Sequence, residues 1–315
     1  MVNLNTQVGT IRLENPIMPA SGTFSDDLAA VFDLDSLGAH VLKTVTLQPH
    51  RGNPTPRVSE TVGGMINSIG IPSKGIDHFL KHTIPLYAQY KAPLVVSISA
   101  DTPDEFADIC RQISVPGVSA IEVNISCPNL EEDGKAFAMS SKATFKIMKK
   151  LKQVSNLPLW AKLTPNTGEI VEIAKAAEAG GADALVIANT ILAMSINVDT
   201  FRPSVGNIMG GLSGSAIKPI IVRMVYQCYN AVDIPIIGCG GISQANDVIE
   251  YLLAGASAVQ VGTATFIHPE AMPTIIQGLS SFCQQRKIEH ISDLIGQVHD
   301  TDLRAESARY ADFAA

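Results

Sequence analysis

The sequence predicts an α/β protein of the (β/α)8 TIM-barrel class, and three observations support this. Eight short apolar runs alternate with amphipathic helical patterns along most of the 315 residues, which predicts parallel strands joined by helices. Apolar residues make up 46% of the chain and aromatic residues only 5%, a composition typical of buried parallel strands. Polar residues also gather at one end of the runs, as they do in barrel enzymes.

The predicted strands share a short apolar core that ends in polar or small residues. In chain order they are NPIMPASG (15–22), VLKTVT (41–46), LVVSIS (94–99), AIEVNIS (120–126), LPLWAKL (157–163), ALVIANT (184–190), PIIGCGG (235–241) and AVQVGTA (258–264). Helical periodicity predicts helices over 75–90, 104–113, 144–154, 169–180, 221–232 and 247–256. Eight units of this kind indicate closure into a barrel.

Three further segments complete the predicted architecture. NLNTQV and TIRLE flank Gly9 and predict a hairpin beneath the barrel. The segments 47–72 and 191–215 are long connections rich in Gly, Pro and Asn, and we expect them to be functional because they follow strand carboxyl ends. With no linker or repeat in the sequence, we expect one domain over residues 1–315.

Charge and cysteine content exclude several classes of protein. The net charge of −7, with Lys and Arg spread along the chain, argues against a nucleic-acid surface. No apolar run reaches the ~18 residues of a membrane span, and the N-terminus does not resemble a signal peptide. The five cysteines are scattered and form no CxxC pair, so we expect neither a disulfide framework nor a metal site, and we expect a cytoplasmic protein.

The polar residues at the strand ends predict a single functional face. They are Ser21, Lys43, Thr44, Ser97, Asn124, Cys127, Lys162, Asn189, Thr190, Gly240, Gly241, Gly262 and Thr263. The last four follow the seventh and eighth strands, where barrels commonly bind phosphate through exposed backbone N–H groups. GGLSG (210–214) is another loop whose backbone a ligand could approach closely. We therefore predict that a phosphate group of a substrate or a cofactor binds here.

Cys127 and two lysines are the candidates for chemistry. Cys127 follows a strand and precedes Pro128, and a thiolate there can serve as base or nucleophile if its pKa is lowered. The other cysteines are interpreted as small buried apolar residues. Lys43 and Lys162 lie within apolar strands, where burial of the charge requires an anion such as a carboxylate, a phosphate or a reduced flavin.

Several motifs together resemble the class 1 dihydroorotate dehydrogenases, in order over about residues 1–300. They are NPTPRV (53–58), NSIGI (67–71), NISCPN (124–129), AKLTPN (161–166), ANT (188–190), GGLSGSAIKP (210–219), IIGCGGI (236–242) and AVQVGTA. The cysteine in NISCPN is typical of class 1, because the membrane-associated class 2 enzymes carry serine there. The stretch from ANT to IKP is most similar to class 1B, the catalytic subunit that works with an iron–sulfur flavoprotein.

The resemblance implies a role for each matching residue. It implies Cys127 as the catalytic base. FMN would be bound by Ser21, Lys43, Thr44, Asn124, Lys162, Gly214, Gly240, Gly241, Gly262 and Thr263. Dihydroorotate would be held by Lys43, Asn67, Ser68, Ile69, Gly70, Ile71, Asn124, Asn129, Asn189 and Thr190. Ser97 and Ala188 stand at two further flavin positions where class 1B members often carry Asn and a larger aliphatic residue, so we expect a looser contact there.

The implied reaction is the oxidation of dihydroorotate to orotate in pyrimidine biosynthesis. Cys127 would remove the C5 proton while FMN accepts the C6 hydride on the other face of the ring. Lys162 would stabilise the reduced flavin. We expect loop 130–140 to exclude water as a lid. We also expect a homodimer, or a heterotetramer with a subunit carrying FAD and a [2Fe–2S] cluster that passes electrons to NAD.

Four alternatives remain open at this point. The first is a stand-alone class 1A enzyme that passes electrons to fumarate, and the second is a dihydropyrimidine dehydrogenase-like flavin subunit. A sugar-phosphate isomerase or lyase would use the Gly-rich loops without a flavin. A non-catalytic binding module would need neither the strand-end cysteine nor two buried lysines.

Overall fold

The computed structural model describes residues 2–126 and 136–300. Its central element is an eight-stranded parallel sheet in the spatial order β3-β16-β15-β10-β9-β8-β7-β4. Strands β3 and β4 form the seam of this nearly closed barrel, where the Gly38 N–H donates to the Ile17 carbonyl over 2.8 Å. The predicted (β/α)8 barrel is therefore confirmed.

The strands are short, as buried parallel strands usually are. In chain order they are β1 (Thr6–Val8), β2 (Ile11–Leu13), β3 (Ile17–Pro19), β4 (His40–Val45), β5 (Val58–Thr61), β6 (Gly64–Asn67), β7 (Leu94–Ile98), β8 (Ala120–Asn124), β9 (Leu159–Lys162), β10 (Ala184–Ile187), β11 (Ile191–Ala193), β12 (Ile196–Asn197), β13 (Arg202–Pro203), β14 (Gly210–Ser213), β15 (Ile236–Cys239) and β16 (Ala256–Val261). Each of the eight predicted strands contains or overlaps one strand of the barrel.

The helices pack outside the barrel and leave its carboxyl face to the loops. They are α1 (Ile76–His78), continued by a π-helical segment (Phe79–Thr83) into α2 (Ile84–Tyr87), then α3 (Pro103–Ile113), α4 (Ser141–Lys152), α5 (Ile170–Ala179), α6 (Lys218–Tyr229), α7 (Ala245–Leu253), α8 (Ala264–Ile267), α9 (Ala271–Arg286) and α10 (Gln297–Asp300). The six predicted helices are confirmed, with boundaries shifted by a few residues. Among the described residues, no helix is long and apolar enough to cross a membrane.

The amino end of the barrel is closed by the N-terminal hairpin of β1 and β2, as predicted. Val8 and Leu13 are fully buried and pack in one cluster with Trp160 and other inward-facing strand residues. The Thr6 hydroxyl donates to the carbonyl of Ser257, near the start of β16, over 2.7 Å. The amino end of the barrel is therefore filled with hydrocarbon, and the carboxyl end carries a cavity.

The two long connections predicted after the second and sixth barrel strands pair with each other. They contribute the antiparallel sheet β11-β14-β6-β5, in which Gly211 lies opposite Asn67 and Leu212 opposite Ile66. Gly211 has no side chain because a Cβ there would collide with Thr190. This sheet forms one wall above the carboxyl end of the barrel.

Replacement of Leu13 by alanine tests the role of the hairpin. Leu13→Ala removes buried side-chain volume from the closed end, so we expect a loss of about 2–5 kcal/mol in the free energy of unfolding. Arg12→Ala is the matched control because Arg12 is exposed on the same strand, and it should change stability little. Urea denaturation of both variants measures the difference, and equal stabilities would contradict the proposed packing.

Candidate active site

A cavity of about 940 Å³ opens at the carboxyl end of the barrel. Single-ligand pockets usually measure ~300–1,000 Å³, so this volume suits a cofactor together with a small substrate. Its walls combine the barrel strand ends with the sheet formed by the two long connections. The cavity is lined by several of the predicted residues, including Ser21, Lys43, Asn124, Lys162 and Asn189.

Lys162 occupies the interior of the barrel next to this cavity and is only 4% exposed. Its ammonium donates to Gln260 Oε1 over 3.1 Å and to the Ser21 hydroxyl over 3.2 Å. The carboxylate of Glu122 lies 3.5 Å from the same ammonium and accepts a 2.6 Å hydrogen bond from Gln260 Nε2. The buried cation is therefore held by a carboxylate and an amide from two other strands.

A chain of amides and a hydroxyl lies at the ends of β8 and β10. Asn189 Nδ2 donates to the Ser126 hydroxyl over 2.5 Å, and that hydroxyl donates to Asn124 Oδ1 over 2.6 Å. Asn189 Oδ1 in turn accepts a hydrogen bond from the Thr190 N–H over 2.8 Å. This arrangement fixes the rotamers of Asn124 and Asn189 before a ligand binds. The two side chains are therefore preorganised to form hydrogen bonds with polar groups of a ligand.

Lys43 differs from Lys162 because its side chain is exposed to the cavity. The prediction that both lysines are buried is therefore wrong for Lys43, whereas Lys162 is buried against Gln260 and Glu122 inside the barrel. The cavity walls still desolvate its ammonium and lower the Lys43 pKa, and the positive charge of Arg57 lowers this pKa further. An exposed cation at this place is suited to an anionic group of a ligand.

The predicted glycine loops are packed closely against neighbouring parts of the chain. Gly241 has φ +70°, and a Cβ at this position would lie 2.8 Å from the Lys218 backbone nitrogen. Gly214 also has positive φ, and its Cβ would lie 2.5 Å from Gly64 Cα. The Thr263 hydroxyl donates to Ser213 over 2.8 Å and ties the last strand to the loop sheet. Glycine is thus required at positions 214 and 241 by contacts within the protein, and Gly241 also lines the cavity.

Most of the predicted site residues line this one cavity. They are Ser21, Lys43, Thr44, Asn67, Ser68, Ile69, Gly70, Ile71, Asn124, Lys162, Ala188, Asn189, Thr190, Gly240, Gly241, Gly262 and Thr263. Gly214 is adjacent to the lining residue Ser213. Ser97 is fully buried and shares a 2.9 Å hydrogen bond with the Thr44 hydroxyl, so it supports Thr44. Cys127 and Asn129 lie outside the described residues, as does the 130–135 part of the predicted lid.

The residues on either side of the undescribed segment belong to the site region. Ser126, the last described residue before it, lines the cavity. After it, Ala136 and Phe137 are buried, with the Phe137 ring edge-to-face against Phe106, while Met139 lines the cavity and is 43% exposed.

The four described cysteines are buried, as the sequence predicted. Burial raises the pKa of the Cys110, Cys239 and Cys283 thiols, and it raises the pKa of Cys228 to about 12. These thiols are therefore protonated at neutral pH and are unsuited to act as a thiolate base.

Several residues of the site were missed by sequence reasoning. Glu122 and Gln260 lie two positions before Asn124 and Gly262, so strand alternation places each pair on the same face of its strand. A polar residue within an apolar strand was the signal used for the lysines, and it applies equally to these two. Asn166, which donates to the Thr190 carbonyl over 3.1 Å, carried no comparable signal because it lies in a loop.

Comparison with known proteins agrees with this geometry. Residues 3–283 match the family model described as dihydroorotate dehydrogenase. The chain is 44% identical to a Thermoanaerobacter sp. (strain X514) protein, over 94% of this chain and 99% of that protein. It is 46% identical to a Geobacillus sp. (strain WCH70) protein, over 94% and 96% of the two chains, and 45% identical to one from Geobacillus kaustophilus, over 98% and 100%.

All three relatives are named dihydroorotate dehydrogenase B (NAD(+)), catalytic subunit. The family match covers most of the barrel, and identities of this size over nearly whole chains are far above the level at which fold alone is shared. The chain belongs to the dihydroorotate dehydrogenase family.

Proposed function

We propose that this protein is the catalytic subunit of a class 1B dihydroorotate dehydrogenase, which oxidises dihydroorotate to orotate in pyrimidine biosynthesis. The names of its relatives support this activity. The observation that carries the proposal is that two cations of different character line one cavity, Lys162 buried in the barrel and Lys43 exposed. A buried cation suits a reduced flavin, whereas an exposed one suits the carboxylate of the substrate.

The cofactor in this proposal is FMN, bound by a single domain that spans the chain. The glycine loops at Gly214, Gly240, Gly241 and Gly262, with Thr263, would hold its phosphate. Ser21, Thr44, Asn124 and Lys162 would contact the rest of the cofactor, with Ser97 supporting Thr44 and the small Ala188 leaving room. When bound, FMN supplies an acceptor for the hydride that leaves C6 of the substrate.

The substrate would be oriented by Lys43 and by fixed amides. Lys43 pairs with the carboxylate, and Asn124, Asn189, Thr190, the 67–71 segment and Asn129 bind the polar groups of the ring. The amides of Asn124 and Asn189 are already fixed by Ser126. These two side chains therefore lose little conformational entropy when the ring binds. This fixed orientation aligns the C6 hydrogen with its acceptor.

Cys127 is the proposed base. Its thiolate removes the C5 proton, and the C6 hydrogen leaves with its electron pair, so that a C5–C6 double bond forms. The described cysteines are buried thiols with raised pKa, which makes them unsuitable for this step. Cys127 follows Ser126 directly in the sequence, and Ser126 belongs to the amide chain that binds the ring.

We further propose that electrons pass to NAD through a partner subunit carrying FAD and a [2Fe–2S] cluster. Among the described residues, no group of three or more His, Cys, Asp or Glu side chains is placed to hold a metal. The loop after β10 exposes Leu192, Ile196, Val198 and Phe201, which are 57–88% exposed. Apolar side chains gathered on one loop support an assembly, either a homodimer or a heterotetramer with that subunit.

The absorbance spectrum of the purified chain tests the cofactor and the substrate together. We expect a yellow protein whose flavin is bleached by dihydroorotate but not by dihydrouracil. Bleaching by dihydrouracil would favour a dihydropyrimidine dehydrogenase-like subunit, and a colourless protein would favour a sugar-phosphate enzyme. Reoxidation of the isolated chain by fumarate would favour class 1A, whereas class 1B predicts no reaction with NAD⁺ until the partner subunit is added.

Substitution of the proposed base tests its role. Cys127→Ala should lower the rate of dihydroorotate oxidation by at least ~10²–10⁴-fold, the usual contribution of general-base catalysis, while FMN remains bound. Cys110→Ala is the control because Cys110 is buried within α3, and it should retain flavin and turnover. Near-normal turnover by Cys127→Ala would show that another group removes the proton.

The pH dependence of orotate binding tests Lys43. The carboxylate binds the protonated amine, so the dissociation constant of orotate should rise as the pH increases through the Lys43 pKa. Because this pKa is lowered, the rise should begin below the pH expected of an ordinary lysine. Lys43→Arg keeps its charge at high pH and should abolish the rise. Flavin absorbance changes report binding, and an unchanged pH profile in Lys43→Arg would assign the effect to another group.

A further inference from the structure

The interior of the barrel contains a closed triangle of polar side chains next to the cavity. Lys162 Nζ donates to Gln260 Oε1 over 3.1 Å, Gln260 Nε2 donates to Glu122 Oε2 over 2.6 Å, and Glu122 Oε1 lies 3.5 Å from Lys162 Nζ. Glu122 is fully buried, and Gln260 is 1% exposed. The three side chains come from β8, β9 and β16, so each is placed by a different barrel strand.

Fold stability is a poor explanation for this triangle. A buried ion pair is often no more stabilising than apolar side chains of the same volume, because desolvation offsets the attraction. Other inward positions of the barrel, such as Val186 and Ile237, are apolar and fully buried. Within the described residues, Glu122 Oε1 also has no hydrogen-bond donor, although the ammonium is near. The carboxylate therefore interacts with Lys162 through its charge and with Gln260 through a hydrogen bond.

We propose that Glu122, held by Gln260, is a positioning residue that offsets part of the Lys162 charge and thereby lowers the reduction potential of the bound flavin. This inference rests on the proposed FMN function of the same cavity. Gln260 serves as the rigid link, because one amide group contacts both charged side chains. Glu122 acts through Lys162 and is not assigned any contact with the substrate.

The direction of the effect follows from the charge balance of the reaction. Hydride transfer adds two electrons and one proton to the flavin, which therefore gains one negative charge. A nearby ammonium favours this reduced anion, and a carboxylate beside the ammonium opposes it. Removal of the carboxylate should therefore make the reduced state more favourable.

Neutralisation of Glu122 tests the proposal without using the enzymatic reaction. Glu122→Gln should raise the midpoint potential of bound FMN, with at least a tenfold change in relative affinity for the reduced form, which is about 30 mV for a two-electron couple. Asp183→Asn is the matched control, because Asp183 pairs with Lys152 over 2.7 Å near the start of β10, at the opposite end of the barrel. The control should leave the potential unchanged. Reduction by dithionite with a reference dye measures all three proteins.

A double variant separates charge from packing. Glu122→Gln with Gln260→Glu moves the carboxylate to the other side of the same triangle, still beside Lys162, and should return the potential toward that of the unmodified protein. An unchanged potential in Glu122→Gln, or no return in the double variant, would overturn the proposal. So would failure of either variant to fold, because the triangle would then be required by the barrel itself.

The test also distinguishes this inference from the proposed function. Dithionite supplies the electrons, so the potential does not depend on dihydroorotate. A protein whose FMN is not reduced by dihydroorotate would contradict the proposed reaction, whereas unshifted potentials would contradict only the role of Glu122.

Discussion

All eight barrel strands run parallel, so their carboxyl ends meet on one face, and this constraint governs the rest of the molecule. Residues as far apart in sequence as Ser21 and Lys162 come within hydrogen-bonding distance only because their strands end on the same side. The hairpin fills the opposite end with Val8 and Leu13, and the cavity lies at the carboxyl end. A site built in this way collects one or two side chains from each strand, and no single loop has to supply the chemistry.

The strands and helices could be predicted from the sequence because their signals are local. Apolar runs such as ALVIANT and helical periods such as that of 144–154 lie within a few residues, and the structure places a strand or a helix at each. The pairing of the two long connections could not be predicted in this way. Gly211 and Asn67 are opposite each other across the loop sheet, and nothing in either segment indicates its partner.

The location of the candidate site could also be predicted from the sequence, but the environment of its side chains could not. Residues at strand ends share a location that the fold class alone defines, so most of them line the cavity. The environment of each side chain depends on neighbours that are distant in sequence. Lys43 and Lys162 looked alike as lysines in apolar strands, yet one is exposed and the other is buried. Glu122 and Gln260 are separated by 138 residues, and their contact explains why the strand tolerates a carboxylate.

An exposed lysine suits a ligand that is exchanged in every cycle, whereas a buried lysine suits a ligand that stays bound. In the proposed function a substrate enters and leaves in each cycle, so its carboxylate is best met by a cation that water still reaches, as Lys43 is. A resident cofactor changes its own charge during the cycle, and a fully uncompensated buried cation would hold it in the reduced state. In the proposed arrangement the Glu122 carboxylate, 3.5 Å from the Lys162 ammonium, counters that tendency, and the Gln260 amide contacts both charged groups. A buried charge that is only partly offset can stabilise a reduced cofactor and still allow its electrons to be passed on.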